Sequence, residues 1–290
     1  MPIPAGLPVV DHHCHLSPAG EGVAAARRFR AAGGTHLFLA TQNYDATVPR
    51  TLEAYERQFT TTEALARRVR EDAGVIAYPV LAPYPIDLVD AVPELGAEGA
   101  KDLHRAALEL AGRWVRERRA VALGEVGLPH FSAAEEVTRV AHEVLDFAFS
   151  VAHDVGCPVV VHAAELGPAE LEDLAARARR AGLPSERVVK HYFRTHLAAP
   201  DRHGVVPSYL AERGLVRDVR RDAAPWFFET DFLDDPRRPG AVLDIATIPR
   251  RARAIADGSE DDRDALWIPF VESVERVYGW RPEIVGATPA

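Results

Sequence analysis

The segment Val9-Val10-Asp11-His12-His13-Cys14-His15-Leu16 runs from an apolar pair directly into a cluster of imidazoles. This pattern is typical of a buried strand that ends in polar side chains. Because side chains alternate between the two faces of a strand, His13 and His15 should share one face, and His12 and Cys14 the other. Two neighbouring imidazoles can hold a divalent metal ion. A core histidine with satisfied hydrogen bonds gives the same pattern. This segment alone therefore does not distinguish a metal site from an ordinary buried histidine.

Seven more apolar runs follow this segment, and helical patterns separate them. Predicted strands cover 35–40, 75–81, 120–125, 158–162, 187–191, 204–208 and 226–231. Predicted helices cover 21–32, 62–72, 99–118, 135–154, 169–181, 209–220 and 262–278. Alternation of strands and helices indicates an α/β protein with a parallel sheet covered by helices. Eight such units favour a (β/α)₈ TIM barrel.

A doubly wound open sheet is the alternative fold for this alternation. Such a sheet gathers its polar chemistry at one switch point, whereas here polar residues end many of the strands. This distribution favours the barrel, in which functional side chains stand at the carboxyl ends of the strands. Because no linker or shift in composition divides the chain, residues 1–290 are predicted to form a single domain.

The composition restricts the classes of partner. At 290 residues, 47% of them hydrophobic, the chain can bury a large core, and its net charge of −9 argues against stable wrapping of nucleic acid. A local cationic pocket is still compatible with this charge. No apolar run has the length of a membrane span, and no signal-peptide pattern is present. Two cysteines cannot build a disulfide framework, so a cytoplasmic location is expected.

Six candidate metal ligands stand at the carboxyl ends of predicted strands. A core histidine or a strand-end carboxylate bonded to a loop explains any one of them alone. Together, without a cation, the carboxylates would repel each other and the imidazoles would lose their hydration. The sequence therefore predicts a metal site formed by His13, His15, Glu125, His162, His191 and Asp231.

Several segments resemble the motifs of the TatD-related metal-dependent hydrolases, which belong to the amidohydrolase superfamily of barrel enzymes. The resemblance runs from about residue 9 to residue 252, and it is strongest to an uncharacterised branch with Gly-Glu-Val-Gly followed by Pro-His. Members of the broader family typically hold two divalent metals and cleave phosphodiester bonds as nucleases, and superfamily relatives cleave lactones, amides or phosphotriesters. The segments that carry it are 11–16 (DHHCHL), 124–128 (GEVGL), 161–162 (VH), 190–193 (KHYF) and 229–231 (ETD).

The resemblance implies a dinuclear site. His13, His15 and Asp231 would hold a first metal, and Glu125 would bridge it to a second metal held by His162 and His191. A water between two metals reaches a neutral pKa, and Asp231 would take its proton and later deliver it to the leaving group. Glu125 and Asp231 are thus the expected catalytic residues. Histidine ligands favour zinc, and the carboxylates also admit manganese or magnesium.

Two departures from the family pattern lie on the substrate side. The family's Gly-His-Pro motif is Ala82-Pro83-Tyr84-Pro85 here, so Tyr84 replaces a substrate-facing histidine. The family's Gly-Leu-Asp after the strand-four glutamate is Gly127-Leu128-Pro129-His130 here, so an aspartate is lost and His130 is gained. Both changes make DNA a less strongly expected substrate for this chain. The expected substrate-binding residues are Tyr84, His130, Arg194, Arg237 and Arg250, with Tyr44, Glu165, Arg238 and Arg251 as weaker candidates.

Three neighbours of the ligands have other interpretations. Lys190 precedes His191, but strand alternation turns it away, so a carboxylated bridging lysine is rejected. Cys14 is interpreted as a small packing residue. Asp11 either contacts the ring N–H groups of His13 and His15 or ends a hydrogen-bond ladder.

Three functions are therefore considered for the chain. The leading hypothesis is a two-metal hydrolase that attacks a phosphodiester, with an oligonucleotide or a small molecule as its substrate. The second is a lactonase, amidase or phosphotriesterase that uses the same metals on a small molecule. The third is a metal-binding protein without turnover. A related fold that starts with His-x-His ends in Asp-x-His, and it is set aside because Leu233 stands at that last position.

Overall fold

The computed structural model describes residues 3–45 and 47–283. Residue 46 and both ends of the predicted 1–290 domain, 1–2 and 284–290, lie outside the described residues. The strands are β1 (Val10–His15), β2 (His36–Ala40), β3 (Ile76–Leu81), β4 (Ala122–Gly127), β5 (Val159–His162), β6 (Val188–Phe193), β7 (Val206–Leu210), β8 (Phe227–Glu229) and β9 (Phe232–Leu233).

Helices connect most of these strands. They are α1 (Val23–Ala31), α2 (Leu52–Ala73), α3 (Pro85–Arg116), α4 (Glu135–Val155), α5 (Pro168–Arg180), α6 (Arg213–Val219), α7 (Thr247–Ala256), α8 (Glu260–Asp264) and α9 (Ser273–Tyr278). None of the helices in the described part of the chain is long and apolar enough to cross a bilayer.

The strands form one curled sheet in which every observed pairing is parallel. Its order is β8-β7-β6-β5-β4-β3-β2-β1-β9, so consecutive strands are neighbours from β1 to β8. The strands are largely buried, as expected for a parallel sheet covered by helices. The predicted α/β class and the parallel order are thus confirmed.

The two margins of the sheet are joined by one segment, 227–233, which contains both β8 and β9. β8 pairs with β7, whereas β9 pairs with β1. Between them, the Asp11 carboxylate accepts hydrogen bonds from the Thr230 backbone at 3.0 Å and from its hydroxyl at 2.5 Å. Asp11 also accepts from the His13 backbone N–H at 3.2 Å, so its carboxylate bonds backbone groups at the edge of the sheet where the ladder is interrupted. This matches the second of the two interpretations of Asp11.

Aromatic side chains fill the interior beneath the ligand-bearing ends of the strands. The His12 ring stacks on Phe227 with ring centroids 3.8 Å apart, and its Nε2 lies 2.8 Å from the Tyr278 hydroxyl. Cys14 is fully buried in an apolar cluster that includes Phe29 of α1. Both residues therefore have packing roles, and Cys14 behaves as expected.

The structure corrects several predicted boundaries. α2 begins at Leu52 rather than at residue 62, because Thr51 caps its first turn by accepting from the Ala54 backbone. α3 begins at Pro85 rather than at residue 99, and it continues past Pro93 through a kink at Gly96. The predicted strand 204–208 is shifted to Val206–Leu210, which shortens the helix predicted over 209–220 to α6.

The C-terminal prediction is also corrected. α7 lies between residues 231 and 262, where no helix was predicted. The helix predicted over 262–278 is divided into α8, a π-helical turn at Ile268–Glu272 and α9. Because Pro269 has no N–H to donate, it interrupts the regular helical ladder at this point. The predicted strand 226–231 is interrupted after Glu229, where Asp231 has a φ of 48°.

Candidate metal centre

The ligand-bearing strands depart from regular pairing where their predicted ligands stand. In β1 the register with β2 slips between Asp11 and Cys14, and in β4 it slips around Glu125. In β6 it slips between Lys190 and Phe193. Bulges of this kind re-aim side chains and are common beside active sites. The sheet thus bends at three positions to bring polar side chains into its mouth.

Two glycines allow the close approach of β4 and β5 at the site. A Cβ atom on Gly124 would lie 2.7 Å from Cβ of Val160. Gly127 has a φ of +144°, and a Cβ there would lie 2.0 Å from the His162 carbonyl oxygen. That oxygen accepts a hydrogen bond from the Leu128 backbone at 2.9 Å. The Gly-Glu-Val-Gly motif is therefore a steric requirement for setting Glu125 beside His162.

The first group of donor atoms comes from His13, His15, Glu125 and Asp231. One ligand atom from each lies within 4.8 Å of all the others. Oε1 of Glu125 is 2.6 Å from Nε2 of His13 and 3.3 Å from Nε2 of His15. Oδ1 of Asp231 is 3.7 and 3.6 Å from the same two nitrogens. Imidazole nitrogens and carboxylate oxygens converging on one point form a donor set that suits a divalent transition metal.

The second group shares Glu125 with the first and adds His162 and His191. Oε2 of Glu125 is 3.4 Å from Nδ1 of His162, and Oε1 is 3.6 Å from Nε2 of His191. The two ring nitrogens lie 3.0 Å apart. Glu125 therefore presents Oε1 to both groups and Oε2 to the second alone. The six predicted side chains are brought together in two adjoining clusters.

Burial and mutual contacts set the charge states of the cluster. Burial by itself raises the pKa of Glu125, but its interactions with His191 and His13 hold that pKa well below the ordinary value. Burial lowers the pKa of His191 well below its usual range, although the attraction of Glu125 opposes this shift. For His15, hydrogen bonds to Asp231 and Glu125 outweigh burial and raise the pKa to about 10. A cation in the first group would compete with that proton.

Two ligand histidines also have partners on their outer side. Nε2 of His162 lies 2.9 Å from Nδ1 of His130, so its Nδ1 is the nitrogen that faces Glu125. Nδ1 of His191 lies 3.5 Å from Oε1 of Glu229, which is fully buried. Metal-binding histidines commonly have an outer partner that fixes the orientation of the ring.

Lys190 points away from the donor groups. Its ammonium donates to the His191 carbonyl and lies 5.2 Å from the centre of the Phe193 ring. Burial lowers the pKa of Lys190 to about 8 and raises that of Glu229, and their mutual attraction opposes both shifts. The position of Lys190 agrees with the rejection of a carboxylated bridging lysine.

A cavity of about 610 Å³ opens above the two groups. Of the expected substrate residues, Tyr84, His130, Arg194 and Arg237 line it, together with Arg238. Arg250 is not among the described residues that line this cavity, and its guanidinium pairs with Asp244 at 3.3 Å. The position of Arg250 on α7 therefore does not support the expected substrate contact.

Two further polar residues of the cavity wall were not predicted from the sequence. Gln42 and Asn43 line the cavity just after β2, and neither was named as a candidate. Polar residues directly after a strand were the signal used at other strands, so the same rule applied to β2 would have found them. Glu229 was quoted as part of a motif but given no role. No sequence signal distinguishes it from a strand residue that ends a ladder.

Comparisons with known proteins agree with this site and fold. The sequence profile of the family described as TatD related DNase matches residues 10–279. An uncharacterised protein of Methanocaldococcus jannaschii is 28% identical over 282 residues, which cover 96% of this chain and 98% of that protein.

Solved structures show the same fold at low sequence identity. The TatD homologue YjjV of Escherichia coli superposes with a TM-score of 0.61 at 20% identity, covering 93% of this chain and 98% of its own. The TatD-like protein of Archaeoglobus fulgidus gives 0.58 at 15% identity, with coverages of 89% and 99%. A mutant of a phosphotriesterase-like lactonase of Deinococcus radiodurans gives 0.56 at 14% identity, with coverages of 95% and 97%. Because the family profile spans nearly the whole chain, this protein belongs to the TatD-related DNase family of metal-dependent hydrolases.

Proposed function

We propose that the protein hydrolyses phosphodiester bonds with two divalent metal ions held by the six clustered side chains. The observation that carries this proposal is the position of Glu125, whose two carboxylate oxygens reach both donor groups. His13, His15 and Asp231 would complete the first site, and His162 and His191 the second. Zinc is the preferred ion for this histidine-rich set, with manganese or magnesium as alternatives.

The proposal includes the architecture that supports the site. The chain would form a single (β/α)₈ barrel domain in which segment 227–233 serves as the eighth strand and closes the sheet. The pairing of β8 with β7 and of β9 with β1 supports this closure. The side chains at the carboxyl ends of the strands would then surround one mouth.

The residues of the site have distinct chemical roles in this proposal. Bound divalent ions would polarise the ester and lower the pKa of a water into the neutral range. Glu125 stays ionised because of its contacts with the histidines. Asp231 is the more exposed carboxylate, with 16% of its side chain accessible against 5% for Glu125. It can therefore accept a proton from the attacking water and pass it to the leaving group.

The rim of the cavity supports an anionic substrate. Arg194 pairs with Glu212 at 2.9 Å, and Arg237 pairs with Asp235 at 2.9 Å. For Arg238, by contrast, the described residues include no carboxylate within ion-pair distance. A guanidinium without a fixed counter-charge suits the oxygens of a phosphodiester. We therefore propose a small phosphodiester or a short oligonucleotide as the substrate, without stable wrapping of nucleic acid; the cytoplasmic location stays a prediction.

Lactone hydrolysis is the second candidate, and Tyr84 favours it. The Tyr84 ring lies edge-on to His162, with ring centroids 5.2 Å apart. Burial raises the pKa of the Tyr84 hydroxyl, so it remains a hydrogen-bond donor at neutral pH. A neutral donor at this position suits the carbonyl oxygen of an uncharged ester.

Metal analysis combined with a substrate panel tests these proposals. Protein purified without chelators or a histidine tag is analysed for metal, then assayed with bis(4-nitrophenyl) phosphate, short oligonucleotides and γ-lactones. About two ions per chain and phosphodiester cleavage are expected. Cleavage of lactones alone would favour the second candidate, and two ions without any turnover would favour a metal-binding role. Protein that takes up no metal would contradict both hydrolase proposals.

A further inference from the structure

A fully buried polar cluster lies behind His191, on the side away from the cavity. Lys190 of β6, Ser208 of β7 and Glu229 of β8 form it, and each has 0% of its surface exposed. We refer to these three residues as the Lys190–Ser208–Glu229 cluster. A buried carboxylate and a buried ammonium are costly to desolvate, so an apolar interior would be the default at these positions.

The cluster is only partly satisfied by hydrogen bonds. Oε1 of Glu229 accepts from the Tyr192 backbone at 2.7 Å, whereas Oε2 of Glu229 and Oγ of Ser208 form no well-aligned hydrogen bond among the described residues. The Ser208 side chain still lies close enough to Glu229 to favour its ionised form. Nδ1 of His191 is also without a well-formed hydrogen bond there. The nearest carboxylate oxygen to that nitrogen is Oε1 of Glu229, at 3.5 Å. Nδ1 of His191, which lacks a hydrogen bond, thus faces a carboxylate oxygen that accepts one hydrogen bond and can accept a second.

Glu229 also controls the backbone directly after the ligand. Tyr192 has a φ of 61°, a left-handed conformation that a non-glycine residue adopts only where its surroundings hold it. The hydrogen bond from its N–H to Glu229 provides that hold. The same carboxylate therefore fixes the bulge of β6 and faces the ring of His191.

We propose that Glu229 is a positioning residue that accepts a hydrogen bond from Nδ1–H of His191 and so directs the lone pair of Nε2 into the metal site. Nε2 of His191 lies 3.6 Å from Oε1 of Glu125, as this orientation requires. The buried Lys190 is an electrostatic neighbour of Glu229, and their attraction opposes the effect of burial on both groups. This inference rests on the proposed metal-dependent function.

The two histidines of the second group therefore have outer partners of different kinds. His191 faces a buried carboxylate, whereas His162 faces the imidazole of His130 at the rim of the cavity. Since a carboxylate orients an imidazole and raises its basicity as a ligand, His191 is the more firmly held of the two. Loss of Glu229 should accordingly weaken the second ion rather than the first.

Metal affinities of the Glu229→Gln variant test this inference. The amide keeps the size of the side chain and an acceptor for the Tyr192 N–H. Zinc affinities are measured by competition with a chromogenic chelator, and one of the two ions is expected to bind about 10- to 100-fold more weakly. Ser208→Ala is the matched control, because it removes a neutral neighbour of Glu229 and leaves the carboxylate in place, so its affinities should change much less than those of Glu229→Gln.

Other results would overturn the inference. A Glu229→Gln variant that binds both zinc ions as tightly as the native chain does would exclude the positioning role. Equal loss in Ser208→Ala would also exclude it, because a general disturbance of the cluster would then explain the effect. A native chain that binds no divalent ion would overturn the proposed function and this inference together, and this result is distinguishable from failure in the variant alone.

Nuclear magnetic resonance of the zinc-loaded native protein provides a second test that needs no variant. Long-range ¹H–¹⁵N correlation shows which ring nitrogen of His191 carries the proton. A proton on Nδ1 is expected, whereas a proton on Nε2 would contradict the inference even if Glu229→Gln failed to fold.

Discussion

Glu125 connects the electrostatics of the site to its proposed chemistry. A carboxylate with 4% of its surface exposed would be neutral if burial alone determined its charge. Its contacts with the surrounding histidines keep it ionised instead. Those same contacts place its two oxygens toward separate donor groups. A single negative side chain thus supports both halves of the proposed site, which makes it the most informative position for substitution.

We expect Glu125→Gln to lower turnover by more than about 100-fold and to release the second ion, because an amide cannot serve two cations as a charged bridge. Steady-state kinetics and metal analysis measure the two effects, and circular dichroism checks that the fold is retained. An active variant with two bound ions would exclude the bridging role. A variant that loses turnover while retaining both ions would assign Glu125 to the reaction rather than to metal binding.

Arg238 provides a separate prediction about the substrate. Replacement by Gln should raise KM for a phosphodiester by about 10-fold, the loss of roughly one charge-assisted hydrogen bond. KM for an uncharged lactone should change little. Arg237→Gln is the control, since Arg237 is already paired with Asp235 and should give a smaller effect. Equal changes for both substrates would indicate a general disturbance of the rim instead of anion recognition.

At the scale of single elements, the positions of the candidate ligands followed from the rule that functional side chains stand at the carboxyl ends of barrel strands. Apolar runs precede His13, Glu125 and His191, so their positions at the carboxyl ends of strands could be predicted from the sequence. The bulges beside these residues could not be predicted, because they depend on the register in which neighbouring strands pair. The contact between His130 and His162 could not be predicted either, since the two residues lie in separate segments that meet only in the folded chain.

The packing of α3 against α2 gives a prediction about acid stability. His104 is buried and its Nε2 lies 3.1 Å from the Tyr55 hydroxyl. Burial lowers the pKa of His104 from 6.5 to about 3. Between these two values the unfolded chain binds a proton that the folded chain does not, so the free energy of unfolding falls as the pH falls.

We expect His104→Gln to remove this acid sensitivity. From pH 7 to pH 5 the native protein should lose about 2 kcal/mol more unfolding free energy than the variant. Urea titrations at the two pH values measure the difference. Asp87 near Tyr55 acts in the opposite sense, because burial raises its pKa to about 7, but it is present in both proteins and its effect cancels. Parallel losses in the two proteins would contradict a buried neutral His104.

At the scale of the whole molecule, the alternation of strands and helices was predictable because each run has its own hydrophobic period. The C-terminal third was less predictable. The sequence predicts one strand over 226–231, yet segment 227–233 is interrupted at Thr230 and Asp231, where its pairing changes from β7 to β1. Asp11 satisfies the backbone at that interruption from more than two hundred residues away. Such a long-range contact leaves no local signature in the sequence.

The proposed ions would act on the stability of the entire sheet, because their ligands come from β1, β4, β5, β6 and segment 227–233. An ion that binds only the folded chain stabilises it by about 4 kcal/mol at a concentration 1,000 times its Kd. For a protein of this size we therefore expect chelation to lower Tm by about 10 °C. Scanning calorimetry before and after chelation, followed by addition of zinc, measures this change and its reversal.

His15→Ala is the matched control for the chelation experiment, because it removes one ligand of the first group while leaving Glu125 and the second group in place. Its Tm should respond to zinc less than that of the native protein, since only the second group retains its ligands. A native Tm that is insensitive to chelator, or a variant as responsive as the native chain, would mean that the six side chains do not join these strands through metal.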